Sequence, residues 1–240
     1  MTMIDSEALS SGVNEPAPHL VTDGLFRPMY TTITNYRTNM GNNHNLLTDK
    51  PIYADGHSAM RRIIIIGSSG SGKSTLARQL GRILGHHVIH LDNHFWNVGW
   101  TPTPQPEWTT CVRQMVDLPS WIIDGNYRST LDIRLQNADT VIFLDLPRLL
   151  CMWRAVKRRI QYAHSARPDI ASGCDEQFFH PNLFNFLHRI WNYPQRARPD
   201  VLNRLANLHC GQQVFWLRST AEVDQFLRAV QTSSQMLYSR

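Results

Sequence analysis

Residues 63–75 read IIIIGSSGSGKST, and LARQLGRIL follows at once. An apolar run, a glycine-rich turn and an amphipathic stretch in that order leave few folds open. The spacing fits GxxxxGK[ST], with Gly67, Gly72, Lys73 and Ser74 in the required places. Glycines let the backbone approach a polyphosphate closely, and successive N–H groups then point at the anion. A helix beginning near Lys73 adds the positive end of its dipole. Gly67, Ser68, Ser69, Gly70, Ser71, Gly72, Lys73, Ser74 and Thr75 therefore form the candidate cradle for a nucleoside triphosphate. Lys73 is placed to reach the β- and γ-phosphate oxygens, and the Ser74 hydroxyl to ligate Mg²⁺. ATP and Mg²⁺ are the expected cofactors.

The remainder alternates in the same way. Strands are expected at 63–66, 87–91, 121–123, 140–144 and 213–217, and helices over 74–84, 149–162, 182–193, 199–208 and 221–230. A loop rich in aromatics and proline is expected over 93–108, running into a helical stretch that Pro119 breaks. Strands without alternation, separated by helices, predict an α/β fold with a parallel sheet covered on both faces. Residues 1–59 carry scattered Ser, Thr, Asn, Pro and Gly with no sustained apolar period. They predict a disordered extension, because they bury too little apolar surface to offset ordering entropy. The folded unit is expected to span 60–240, with a lid around 160–200.

Composition excludes other classes. No apolar run approaches the roughly 18 residues of a membrane helix. The first thirty residues show no basic start followed by an apolar stretch, so cytoplasm is the expected compartment. Cys111, Cys151, Cys174 and Cys210 form no CxxC pair, which argues against zinc and a disulfide framework. His90 and His94 are four apart, but one ends a strand and the other enters a loop, so they are read as non-ligands. Between Arg148 and Asp200, nine Arg/Lys face four Asp/Glu, which equals the whole formal charge of +5. Nucleotide phosphates, a nucleic-acid backbone, or simply a solvated helix face all satisfy that pattern.

Three further features fall where strands end, the usual ligand edge of an open α/β sheet. In WIIDGNYRST (121–130), three apolar residues deliver Asp124 to the strand's carboxyl end, where an acid holds Mg²⁺ through its water shell. Arg128 follows four residues on, with a guanidinium suited to a phosphate or carboxylate. Arg154 and Arg158 are four apart, so on a helix they share a face and meet one anion. Asp92 ends the second strand. It fits either a base for an attacking hydroxyl or a turn acid. The aromatics after it, Phe95, Trp96, Trp100 and Trp108, fit either stacking on a flat acceptor or packing.

With these residues in view, the chain from about Met60 to Leu227 resembles the adenylate-kinase-like branch of P-loop kinases. Within it the likeness is greatest to the FlaR-type group, labelled topology-modulation proteins. The resemblance is carried by Gly67–Ser74, by Asp124-Gly125-Asn126-Tyr127-Arg128-Ser129, and by Asp145-Leu146-Pro147 with Arg154 and Arg158. The FlaR-type likeness adds HLDNHFWNVGW (90–100), GCDEQFF (173–179) and RIWNYPQRARP (189–199). It implies a three-layer sandwich on a five-stranded parallel sheet with a mobile lid. It casts Asp124 as the metal-side acid, Arg128 as a clamp on the acceptor, Arg154 against the base and Arg158 at the phosphates. Arg167, Arg189, Arg196 and Arg198 become candidate lid arginines. Adenylate kinases carry Asp-Gly-Phe-Pro-Arg where this chain has Asp-Gly-Asn-Tyr-Arg, so AMP is not the expected acceptor. The implied activity is transfer of the ATP γ-phosphoryl group to a small acceptor. An ATP-dependent nucleic-acid binder and a regulatory ATPase are the alternatives.

Overall fold

A computed structural model describes residues 60–162, 183–209 and 211–238. The extension expected over 1–59, residues 163–182 of the expected lid with Arg167, and Cys174 and Cys210 lie outside the described residues. In chain order the elements are β1 (Arg62–Gly67), α1 (Lys73–Leu84), β2 (Val88–His90), α2 (Leu91–Phe95), β3 (Trp96–Asn97), β4 (Thr101–Pro102) and α3 (Gln105–Val116). There follow β5 (Trp121–Asp124), α4 (Leu131–Asn137), β6 (Thr140–Leu144), α5 (Arg148–Gln161), α6 (Leu183–Trp191), α7 (Tyr193–Arg196), α8 (Arg198–Ala206), β7 (Gln213–Leu217) and α9 (Thr220–Tyr238).

Five strands make one parallel sheet in the order β2-β5-β1-β6-β7. β1 lies at the centre because all four of its isoleucines are apolar on both sides, and all four are fully buried. Ile64 and Ile66 face one core with Trp108, Val112, Leu131, Leu135, Val201 and Leu202, contributed by α3, α4 and α8. The opposite side is covered by α1 and α9, with Leu76, Leu80, Phe226 and Val230 buried. The result is the expected α/β sandwich: helices on both faces of a five-stranded parallel sheet.

Register matters most at one edge. Ile65 pairs with Asp124, and His90 pairs with Asp124 from the other side. The carboxyl ends of β1, β2 and β5 thus deliver Gly67, His90 and Asp124 to the same place, and the glycine-rich turn opens there.

Several sequence expectations are corrected. The second strand stops at His90, because Leu91 turns into α2 and buries its side chain in the core. The stretch 93–108 is not a plain loop. It holds the end of α2 and a short antiparallel hairpin with Trp96 opposite Pro102. α3 then starts at Gln105, because Pro106 occupies a first-turn position where no N–H is needed. Helix 182–193 breaks at Asn192, where Pro194 starts α7. α4 was not foreseen. α9 runs on to Tyr238 despite its polar tail, since Ser234 Oγ donates to Ile83 O at 3.2 Å and ties it to α1.

Candidate active site

The turn after β1 has the form its glycines require. Gly70 has φ 81°, and a Cβ there would lie 2.1 Å from the Cys151 carbonyl of α5. Gly72, at φ 98°, is the N-cap of α1 and offers no side chain to its first turn. The opening N–H groups of that helix, on Lys73, Ser74 and Thr75, have no partner within the helix. No acidic residue stands in that turn to compete for an anion. The hydroxyls of Ser68 and Ser71 are buried with no hydrogen-bond partner. A cradle lined with unsatisfied donors, and too tight for any Cβ at Gly70, fits a polyphosphate.

Lys73 Nζ lies over this turn, donating to Gly67 O at 3.0 Å and Ser68 O at 2.9 Å. Burial pushes its ammonium below the ordinary lysine value, while Asp124 and Asp92 act in the opposite sense and Arg158 adds to the lowering. Arg154 Nη1 donates to Ser71 O at 3.5 Å. Arg154, and Arg158 one turn on, therefore both come to the side of the glycine-rich turn, from one face of α5.

Ser74 Oγ donates to Asp124 Oδ2 at 2.7 Å. The carboxylate is nearly completely buried, and His90 Nδ1 donates to its other oxygen at 2.5 Å. A hydroxyl and a carboxylate side by side are hard oxygen donors suited to Mg²⁺, which usually takes its remaining ligands from water and substrate phosphates. Among the described residues no group of three His, Cys, Asp or Glu forms an all-protein metal cage.

The segment after β5 is fixed from below. Asn126 Oδ1 accepts from Gly67 N at 3.1 Å, and its Nδ2 donates to Gly67 O at 2.7 Å, pinning the end of β1. Arg134, fully buried on α4, donates to the carbonyls of Gly125, Asn126 and Tyr127. Desolvation pulls this guanidinium down to about 9, so it stays charged at neutral pH. Tyr127 is thereby held with its phenol donating to Asp92 Oδ1 at 2.6 Å. Burial first, then Asp92, pushes the Tyr127 phenol well above its ordinary value, with Trp96 acting in the opposite sense.

Around this relay the aromatics form one cluster. Phe95 lies 4.9 Å from Trp96, 5.1 Å from Trp108 and 4.6 Å from Tyr127, and Trp96 lies 5.5 Å from Trp100, between ring centroids. Trp108 is 0% exposed, so its choice between stacking and packing falls to packing. Trp96 and Trp100 stay partly exposed.

Other foreseen residues stand apart. Arg128 is 55% exposed and pairs with Asp200 of α8 at 3.0 Å. Arg198 pairs with Asp145 at 2.9 Å and lies 5.6 Å from the Trp216 ring, joining α8 to the end of β6. Arg189 and Arg196 are exposed. His90, Asn126 and Arg134 were given no role from sequence. Asn126 lay inside the quoted Asp-Gly-Asn-Tyr segment. His90 matters only because β2 borders β5, an adjacency that strand patterns do not reveal.

No protein-family profile matches the chain. No curated protein matches it in sequence. Solved structures do. A shikimate kinase from Acinetobacter baumannii in complex with shikimate aligns at 17% identity and TM-score 0.46, over 75% of this chain and 94% of that one. A gluconokinase from Sinorhizobium meliloti aligns at 15% and 0.43, over 74% and 93%. A deoxyadenosine kinase from M. mycoides aligns at 15% and 0.38, over 73% and 98%. Likeness at this level decides neither substrate nor residue roles. No helix among the described residues is long and apolar enough to cross a membrane.

Proposed function

We propose that this chain is a Mg²⁺-dependent phosphotransferase moving the γ-phosphoryl group of ATP to a small hydroxyl acceptor. The observation that carries the reading is Ser74 Oγ at 2.7 Å from Asp124, at the mouth of a cradle that Lys73 overhangs. Phosphoryl transfer asks for alignment and positive charge more than for covalent chemistry. Backbone N–H groups of the cradle hold the phosphates, and Lys73 and Arg158 meet charge developing on the transferring group. Arg154 flanks the nucleotide. Ser74, and Asp124 through water, would hold Mg²⁺, which would supply positive charge to neutralise the phosphates. Asp92 takes the proton as the acceptor oxygen forms its bond to Pγ and the bond to the β-phosphate oxygen breaks, leaving ADP. A cytoplasmic setting suits such an enzyme, and the FlaR-type group is the likeness its sequence supports best.

The test is Lys73→Ala. Acceptor-dependent ADP release is expected to fall about a hundredfold or more with the melting temperature kept. An unchanged rate in a soluble variant rejects the reading. Turnover needing no acceptor turns it into a regulatory ATPase.

One observation favours a second activity, nucleic-acid binding. α5 carries five Arg/Lys and no acid, and its Trp153 is 59% exposed with Lys157 Nζ 5.0 Å from the ring centroid. Basic groups beside an open aromatic suit a single strand. Affinity for oligo-dT that falls steeply with salt supports this second reading, and no measurable affinity at low salt removes it.

A further inference from the structure

We infer that Asn126 is the positioning residue that lets Lys73 turn to the γ-phosphate, and so makes the site favour ATP over ADP. The inference rests on the phosphotransferase reading, in which Lys73 reaches both β- and γ-phosphate oxygens. A lysine ammonium has three N–H donors. Two of them go to Gly67 O at 3.0 Å and Ser68 O at 2.9 Å. One is left for a phosphate while the side chain keeps both carbonyls. Meeting β and γ oxygens together therefore takes one carbonyl contact away.

A buried carbonyl that gives up Lys73 needs another donor, because a stranded C=O costs far more than an exchanged bond. Gly67 is buried, and its carbonyl has that second donor in Asn126 Nδ2 at 2.7 Å. Ser68 O has one as well, but Ser71 N lies at 3.2 Å and is the weaker substitute. Gly67 O is thus the contact that yields Lys73 at least cost. Strand geometry explains why a side chain has this task. β5 pairs with β1 only as far as Ile65 opposite Asp124, and Gly125 at φ 134° then bends away. The Asn126 amide stands in for the missing strand. Its Oδ1 accepts from Gly67 N at 3.1 Å while its Nδ2 donates to Gly67 O, a pairing that fixes which end is nitrogen. Arg134 Nη2 donates to Asn126 O at 2.8 Å, so the amide keeps its place when Lys73 leaves.

The experiment is calorimetric titration of the full chain with ATP and with ADP, each with Mg²⁺ and without an acceptor. The parent is compared with Asn126→Ala and with Asn126→Leu, which removes both bonds while nearly keeping the side-chain volume. ADP needs only the N–H that Lys73 already has to spare, so its affinity should fall only by what pinning β1 contributes. ATP should lose about tenfold more than ADP in both variants, and the ATP-to-ADP affinity ratio should drop by that factor. A ratio unchanged in folded variants overturns the inference, whether both affinities fall together or neither does, and leaves Asn126 as a pin for the strand. So does a ratio that rises. If thermal melting shows that neither variant folds, the amide belongs to the sheet itself and the inference fails. The phosphotransferase reading survives each of these outcomes; it falls, and takes the inference with it, when the parent chain binds no ATP.

Discussion

The two halves of the proposed cleft, one for phosphate and one for the acceptor, are built by different means. The phosphate half is one continuous segment, 67–75, and it works mostly through backbone N–H groups, with Lys73 and Ser74 as its side-chain contributors. The acceptor half draws on α2, the β3–β4 hairpin, α3 and the turn after β5, and it works through side chains. Polyphosphate looks alike wherever it is bound, so one backbone form serves. An acceptor is particular, so its half is assembled from pieces that only tertiary structure brings together. Damage to the first half should abolish turnover with every acceptor, whereas damage to the second should change which acceptor is used.

The largest expected effect is Gly70→Ala. The new Cβ would fall 2.1 Å from the Cys151 carbonyl on a backbone at φ 81°, so the cradle or α5 must shift. A displacement near 1 Å in a positioned site costs on the order of a hundredfold in rate. ATP titration should show weakened binding whichever acceptor is present. Near-normal affinity would mean that the cradle tolerates movement, and the contrast between the halves would lose its basis.

Next comes Arg134→Met, which tests whether the acceptor half hangs from one buried cation. The substitution strands three carbonyls, and breaking buried charged hydrogen bonds costs about 3 kcal/mol. Denaturant unfolding should show a lower midpoint with the same slope. A midpoint unchanged within error would mean that the 125–127 turn is held by its other contacts.

What sequence made legible follows the same division. The order of the elements and the sheet were readable because Ile63–Ile66 and the other strands are apolar without alternation, a pattern that only a sheet covered on both faces explains. Gly67–Thr75 and Asp124 were readable because their chemistry is local. The hairpin at 96–102 was not, since its strands are two residues each and too short for any period. Trp108 looked like a loop aromatic because prolines surround it, yet Pro106 starts a helix that turns the indole into the core. Arg134 gave no signal. An arginine on a short helix is normally solvated, and its burial follows from carbonyls that converge only after folding.

His90→Ala probes the seam between the halves. His90 Nδ1 holds the Asp124 oxygen opposite the one bonded to Ser74. Removing a group that orients a metal-side carboxylate typically costs about tenfold or more in metal affinity. The Mg²⁺ concentration giving half-maximal ADP release should rise by about that factor, with the melting temperature little changed. If Mg²⁺ dependence stays as in the parent while the protein destabilises, His90 is packing and the seam is not functional.

The smallest expected effect belongs to Asp200→Ala, and it decides the standing of Arg128. The pair joins α8 to the turn after β5, but Arg128 is 55% exposed, and exposed ion pairs contribute about 0–1 kcal/mol. Asp200 also accepts from Arg204 at 3.3 Å, so its loss leaves two arginines without that carboxylate. If the pair only fastens α8, Asp200→Ala and Arg128→Ala should each lower stability by less than about 1 kcal/mol, and the double variant should lose less than their sum. The ratio of turnover with thymidine to turnover with thymidine monophosphate as acceptor should then stay put in Asp200→Ala. A released Arg128 that gathers anions would instead raise turnover of thymidine monophosphate in that variant. That result would restore the clamp implied by the family resemblance, making Asp200 the residue that withholds it.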